Sequence, residues 1–418
     1  MLEILERNNF WADEVVGFGY LRVEYLSRLE NYLNNNLVKV LLGQRRVGKS
    51  YILRMLINYL ISKKGVNPHN ILYINMDLHD FNYIKDSQSL INTIELYKSN
   101  LRPKGKIYLF LDEIQEIKGW EKVINSLSQQ YKDQYEIFIT GSNANVLSSD
   151  LATYLSGRYV SFEVFPFGYG EYCGIKNLEK NKISFLDYLK NGGIPEVYSL
   201  NNMELQQNYI VSLKDSIILR DIVQKNNIRD VILLGKLVDF LVDSIGSSFS
   251  INSVVKTLTN SGYKTNNETI GTYLTFIKDA YFIHDSNRYD LQGKRILKGE
   301  KKYYLNDLAF KYFLSSSFDF SIGRYLENII YMELRRQQYK VYIGKINGKE
   351  IDFIAEKNGD KKYIQVTYLL SNETVINREF GNLELIKDNY KKLVISLDDI
   401  NMGNREGIKH INAWTFCK

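Results

Sequence analysis

Apolar residues in the first third of the chain fall into short strand-length runs separated by longer stretches of helical spacing. The run VKVLLG at 38–43 ends in glycine, and YILRMLINYLISKKG follows with a helical stripe that stops at two lysines and a glycine. ILYINMD (71–77), IYLFLDEI (107–114) and EIFITGSN (136–143) repeat the strand pattern, with helical segments between them. Buried runs alternating with helices predict a parallel sheet covered on both faces. A lead-in helix is expected before it, from the stripe Leu21, Tyr25, Leu26, Leu29 and Tyr32. The alternation stops near Phe165-Pro166-Phe167, and helical patterns follow at 185–190, 203–223 and 231–245.

Further along, 250–262 opens on a serine cap and ends at glycine, and a second amphipathic helix follows with Asn267 or Thr265 as its expected cap. YFIHDSNRYD and KKYYLNDLAF read as two strands joined by a basic turn, so the order is helix, turn, helix, hairpin: that of a winged helix. The last segment reads as helix 324–338, strands 340–344, 350–356 and 361–368, helix 380–389 and strand 392–397, a smaller α/β unit. The expected organisation is a phosphate-loop α/β domain at 1–170, a helical lid or linker at 171–230, a winged helix at 231–315 and a small α/β domain at 316–418.

Composition narrows this picture only modestly. With 418 residues, 44% hydrophobic and 24% charged, the chain has ordinary globular composition, which excludes wholesale disorder. A net charge of +6 is too small to name a nucleic-acid partner, although it suits an anionic ligand. Two cysteines, Cys173 and Cys417, cannot build a disulfide framework or a zinc cluster. No run approaches the ~18 apolar residues of a membrane span, and the N-terminus lacks the pattern of a secretory signal, so a cytoplasmic protein without membrane contact is expected.

The chemistry begins at Gly43-Gln44-Arg45-Arg46-Val47-Gly48-Lys49-Ser50, which matches G-x-x-x-x-G-K-[ST] between a strand and a helix. Glycines let backbone N–H groups curl round phosphates, and the helix start turns its positive end to the anion. Lys49 offers a mobile charge to the β/γ oxygens and Ser50 a hydroxyl ligand for Mg²⁺. The nucleotide-contacting stretch is expected to run through Tyr51; Arg45 and Arg46 receive no individual role. A core strand then ends in Asp112-Glu113, where Asp112 is expected to help hold Mg²⁺ and Glu113 to deprotonate the attacking water. Loop and acids together point to Mg²⁺-dependent nucleoside triphosphate hydrolysis. In Thr140-Gly141-Ser142-Asn143, Asn143 is a candidate to bond the attacking water or a phosphate, with Ser142 as a rival and helix capping as the alternative. Arg158 is a candidate cation for the γ-phosphate, within the chain or on a neighbour, set against a plain surface arginine.

These residues resemble the bacterial and archaeal AAA+-like ATPases in which an N-terminal P-loop domain precedes a C-terminal region of unknown function. GQRRVGKS, LFLDEIQEIKGWE, ITGSNANVLSSDLATYLSGRYVSFEVFPFGYGEY, NGGIPEV and LRDIV carry the likeness, and GRYLENIIYMELRRQQYKVYI and EIDFIAEKNGDKKYIQVTY extend it over nearly the whole chain. The resemblance implies ATP binding and hydrolysis, with Asn143 as sensor 1, and names no substrate. The last unit also resembles the PD-(D/E)xK nuclease fold, with Glu327 on the helix and Asp352 on the strand. Where that fold has acid-x-lysine, the chain reads Gln365-Val366-Thr367, one negative and one positive charge short, so a degenerate site is expected.

From Arg288 to Lys302 stand six basic residues, Arg288, Lys294, Arg295, Lys298, Lys301 and Lys302, against Asp290 and Glu300. A basic hairpin beside a helix-turn-helix suits DNA phosphates, whereas the presumed recognition helix carries only Lys278. DNA, a second copy of the chain or another protein are therefore candidate partners. The leading expectation is an ATP-driven switch acting on the C-terminal domains. A DNA-processing nuclease under ATPase control and a nucleotide-gated binding module without turnover are the alternatives.

Overall fold

The computed structural model describes residues 1–11, 19–130, 134–147, 155, 157–297, 299–315, 321–400 and 402–417. They form two compact units, Met1–Val164 and Phe165–Lys418.

In the first unit, α1 (Leu2–Asn8) and α2 (Val23–Glu30) lead into alternating strands and helices: β1 (Val38–Leu42), α3 (Lys49–Ser62), β2 (Ile71–Asn75), α4 (Ser87–Leu101), β3 (Ile107–Asp112), α5 (Trp120–Ser128), β4 (Tyr135–Gly141) and β5 (Tyr159–Glu163). The sheet is wholly parallel in the order β2-β3-β4-β1-β5. Every residue of β1, β2 and β4 is buried, as cover on both faces requires. The expected α/β architecture, a P-loop-type parallel sheet with helices, is thus the architecture found. The order puts β4 between the strand feeding the loop and the strand carrying the acids, so three strand ends converge on one edge. β5 was not expected. It is an edge strand with a single buried residue, Phe162, so it lacks the unbroken apolar run that marks the others.

An ion pair lies wholly inside this sheet. Lys39 of β1 pairs with Glu136 of β4, both fully buried. Glu136 also accepts from Lys106 at 3.2 Å and from the Asn34 backbone at 3.0 Å. Burial pulls the Lys39 ammonium below its ordinary value, against the opposing pull of Glu136. Removing one partner of such a pair strands the other charge in the interior. Lys39→Ala is therefore expected to cost about 3 kcal/mol in urea unfolding, and Lys39→Met with Glu136→Leu to recover most of it. A single variant as stable as the wild type would contradict this.

The second unit opens with helices α6 (Tyr169–Lys176), α7 (Lys182–Asn191), α8 (Met203–Ser216) and α9 (Val231–Asp243), with a π-helical stretch at Ile217–Gln224. There follow β6 (Ser248–Phe249), α10 (Ile251–Asn260), α11 (Asn267–Asp279), β7 (Ile283–Ser286), β8 (Arg288–Asp290), β9 (Arg295–Ile296), β10 (Lys301–Leu305) and α12 (Ala309–Leu314). The chain closes with α13 (Ile322–Arg336), β11 (Lys340–Ile346), β12 (Lys349–Lys357), β13 (Asp360–Val366), α14 (Glu373–Glu384), β14 (Lys391–Ser396), β15 (Asn404–Arg405), β16 (Ile408–Asn412) and α15 (Ala413–Phe416).

The expected hairpin exists as β7 against β10, with β6 completing a three-stranded sheet. Its connection does not stay local: β8 and β9 leave it to extend the eight-stranded sheet β15-β16-β14-β13-β12-β11-β8-β9. Three expectations need correction. The cap of α11 is Asn266, whose side chain accepts from the Thr269 backbone, not Asn267 or Thr265. The helix expected at 380–389 spans Glu373–Glu384, because Asn372 caps the Val375 backbone N–H and starts it earlier. The strand β16 was missed because its burial alternates instead of running unbroken.

Candidate functional site

The loop after β1 is shaped by two glycines. A Cβ on Gly43 would lie 2.2 Å from the carbonyl oxygen of Val164, so only glycine lets the two backbone segments pass. Gly48 caps α3 at φ 95°, a left-handed conformation that favours glycine. Arg22, buried before α2, donates to the carbonyl of Val47 at 3.1 Å and packs its guanidinium over the Tyr25 ring, tying the loop to the preceding segment. That arginine had no signal in the sequence, since its contact depends on how the chain doubles back.

Lys49, 4% exposed, folds over its own loop: its Nζ donates to Gly43 O at 3.0 Å and to Gln44 O at 3.2 Å. The same ammonium lies 3.3 Å from Oε1 of Glu113. Glu113 accepts from Gln115 at 2.6 Å and itself sits at φ 54°, uncommon for a residue with a side chain. Burial alone would raise its pKa, but Lys49, the Gln115 hydrogen bond and Arg45 hold it down at about 2. Asp112, with no exposed surface, is the reverse case. Burial and then the charge of Glu113 push it up, against hydrogen bonds from Ser50, Thr140 and Tyr73. Arg45 leans toward Asp77 at 3.7 Å, and Tyr51 is partly exposed beneath the guanidinium of Arg54.

The structure thus gathers Gly43, Lys49, Ser50, Asp112 and Glu113 at one end of the sheet. It adds Thr140, which the sequence reading passed over for its neighbours: Thr140 bonds Asp112 and accepts the Glu113 backbone N–H at 2.9 Å. Asn143 is buried, and its Oδ1 caps the following turn by accepting from the Asn145 backbone at 2.8 Å. Arg158 is not brought to the loop within the chain. It is exposed at the start of β5, where its carbonyl accepts from Val38 at the opening of β1, whereas the loop leaves β1 after Leu42. Parallel pairing therefore sets it at the far end of the sheet.

In the second unit, Glu327 lies on α13, Glu350 and Asp352 on β12, Gln365 on β13 and Glu379 on α14. The positive charge missing at Thr367 arrives from β10: Lys302 is 3.0 Å from Glu327 and 2.7 Å from Glu350. Tyr304 also donates to Glu327, at 2.7 Å. Gln365 accepts from the Asp352 backbone at 2.9 Å and donates to Glu379 at 2.8 Å. Charges that motif spacing counted as absent therefore come from elements that spacing does not link. Burial opposes the charge on Lys302, but Glu327, Asp352 and Glu350 outweigh it and hold the ammonium protonated. Among the described residues, no three His, Cys, Asp or Glu side chains are gathered as metal ligands.

Three of the six basic residues of the turn are ion-paired. Arg288 meets Glu350 at 3.1 Å, Lys301 meets Asp285 at 2.6 Å, and Lys302 is buried as described. Lys278 of the presumed recognition helix meets Asp285 at 3.5 Å. Lys294 and Arg295 are exposed, and Lys298 lies outside the described residues.

No helix among the described residues is long and apolar enough to cross a membrane. Residues 35–173 match the family model of an AAA domain, and residues 182–319 match a domain of unknown function (DUF8612). An uncharacterized protein of Haemophilus influenzae is 35% identical over 380 residues, covering 90% of this chain and 92% of its own. The uncharacterized protein MJ1544 of Methanocaldococcus jannaschii is 31% identical over 405 residues, covering 92% of this chain and 86% of its own. Among solved structures, the Walker-type ATPase PABY2304 of Pyrococcus abyssi aligns with a TM-score of 0.44 at 17% identity, over 71% of this chain and 95% of that one.

Proposed function

The chain belongs to the family of these Haemophilus and Methanocaldococcus proteins and carries an AAA domain, and from that premise we propose that it binds and hydrolyses ATP with Mg²⁺. The observation that carries this reading is the position of Lys49, lodged on the carbonyls of its own glycine loop and 3.3 Å from Glu113, whose neighbour Asp112 is wholly buried.

In this reading the loop amides from Gly43 to Ser50 take the phosphate oxygens, and Lys49 moves from its loop carbonyls to the β- and γ-phosphates. The pairing of a hydroxyl and a buried carboxylate fits a hard divalent cation, so Ser50 and Asp112 are the residues that would hold Mg²⁺, which when bound neutralises charge on the β- and γ-oxygens. Glu113 takes the proton of the attacking water. Asn143, adjacent to Ser142 at the end of β4, is assigned to sense the γ-phosphate once its turn relaxes. Arg158, remote from its own loop, is assigned to a neighbouring copy. Turnover then drives the second unit. Phosphate release measured with and without DNA tests the whole reading: release above background supports it, and nucleotide binding with no release under either condition favours a nucleotide-gated module.

DNA contact has one supporting observation, the exposure of Lys294 and Arg295 beside the β7–β10 hairpin. Two phosphate contacts give a salt slope of only about −2, so any binding is weak and non-specific. For the Glu327–Asp352 cluster we propose a structural role, since its acids are already engaged within the fold: Glu327 by Lys302 and Tyr304, and Asp352 by the Val366 backbone N–H. Supercoiled plasmid incubated with the wild-type chain and Mg²⁺ or Mn²⁺ is expected to stay intact. Cleavage that disappears in Asp352→Ala would instead establish a nuclease.

A further inference from the structure

The carboxylate of Asp112 is held by hydroxyls from both neighbouring strands: Tyr73 of β2 donates to Oδ2 at 2.9 Å, and Thr140 of β4 donates to Oδ1. Neither belongs to the glycine-loop signature. Register explains their arrival. β3 runs between β2 and β4, with Asn75 opposite Asp112 on one side and Ile139 opposite Leu111 on the other, so the strand ends finish level. Thr140 has a second task, accepting the N–H of Glu113 at 2.9 Å. That bond secures a residue at φ 54°, a conformation that persists only where its surroundings hold it.

We propose that Tyr73 and Thr140 are positioning residues that clamp the acidic pair from both neighbouring strands, fixing Asp112 for Mg²⁺ and Glu113 for water. The inference rests on the Mg²⁺–ATP reading of the site. Its physical content is preorganisation: a carboxylate whose two oxygens are tied to fixed donors needs no reorientation when a cation arrives. Partners of this kind, which orient a metal ligand without touching the metal, are worth about 10–100-fold in metal affinity.

The test is a Mg²⁺ titration of the full chain with a fluorescent, non-hydrolysable ATP analogue, run beside binding of the same analogue in EDTA. Tyr73→Phe and Thr140→Val are each expected to raise the Mg²⁺ concentration at half-effect about tenfold while EDTA affinity stays within about twofold. Thr140→Ser keeps the hydroxyl and is expected to restore wild-type Mg²⁺ dependence, which also separates lost positioning from lost folding. Wild-type Mg²⁺ dependence in Tyr73→Phe and Thr140→Val would overturn the inference, as would an equal loss of affinity with and without Mg²⁺. A wild-type chain that binds the analogue with no response to Mg²⁺ would instead overturn the Mg²⁺–ATP reading, and this inference with it.

Discussion

Lys49→Ala is expected to lower affinity for ATP by at least about 100-fold, with the protein still folded. Two effects act in the same direction. A charge-assisted hydrogen bond to the phosphates is lost, a contribution of about 1.5–3 kcal/mol. In addition, Lys49 is the cation that faces buried Glu113 at 3.3 Å, and without it an uncompensated carboxylate confronts the incoming triphosphate. The second effect makes a distinctive forecast. Lys49→Ala combined with Glu113→Gln should bind ATP more tightly than Lys49→Ala alone, because the amide carries no charge to repel it. Equilibrium titration of the three variants reads this directly. Strictly additive losses would mean that the Lys49–Glu113 pair plays no part in binding.

Glu113→Gln alone is expected to keep ATP binding and to slow single-turnover phosphate release by about 10²–10⁴-fold. The amide has nearly the shape of the acid but cannot accept a proton from water. Binding should hold or tighten, since the ion pair that draws Lys49 away from the phosphates is gone. In the nucleotide-free chain Lys49, Gln115 and Arg45 hold the Glu113 carboxyl at about 2 against burial, so it is ionised across the physiological range. When Lys49 turns to the phosphates that restraint weakens and burial raises the pKa, toward values where a base is useful. Turnover undiminished in Glu113→Gln would remove Glu113 from the role of base.

The parts of this account that are legible in sequence are those written in local pattern. The β1 run, the glycine loop and the helix start at Lys49 are contiguous, and each residue type has a local reason to be there. The Asp112-Glu113 pair ends an unbroken apolar strand, which buried parallel strands produce. Residues that act across the sheet gave no such signal. Tyr73 and Thr140 reach Asp112 only because β2 and β4 flank β3, an order that no spacing along the chain encodes. Arg158 is a candidate γ-phosphate cation by residue type alone, whereas its height in the sheet depends on the β1–β5 register. Lys302 meets Glu327 and Glu350 through the packing of β10 against α13 and β12, so a charge that the local motif lacks at Thr367 is supplied from far along the chain. β5, with one buried residue, and β16, with alternating burial, lack the continuous apolar run on which the strand expectations rest.

Calorimetric titration of the wild-type chain with ATP in the presence of Mg²⁺ tests the central claim most directly. One saturable site per chain, weakened by at least about 100-fold in Lys49→Ala, is the predicted result. Absence of binding heat at millimolar ATP and at millimolar GTP, from protein that melts cooperatively, would contradict it.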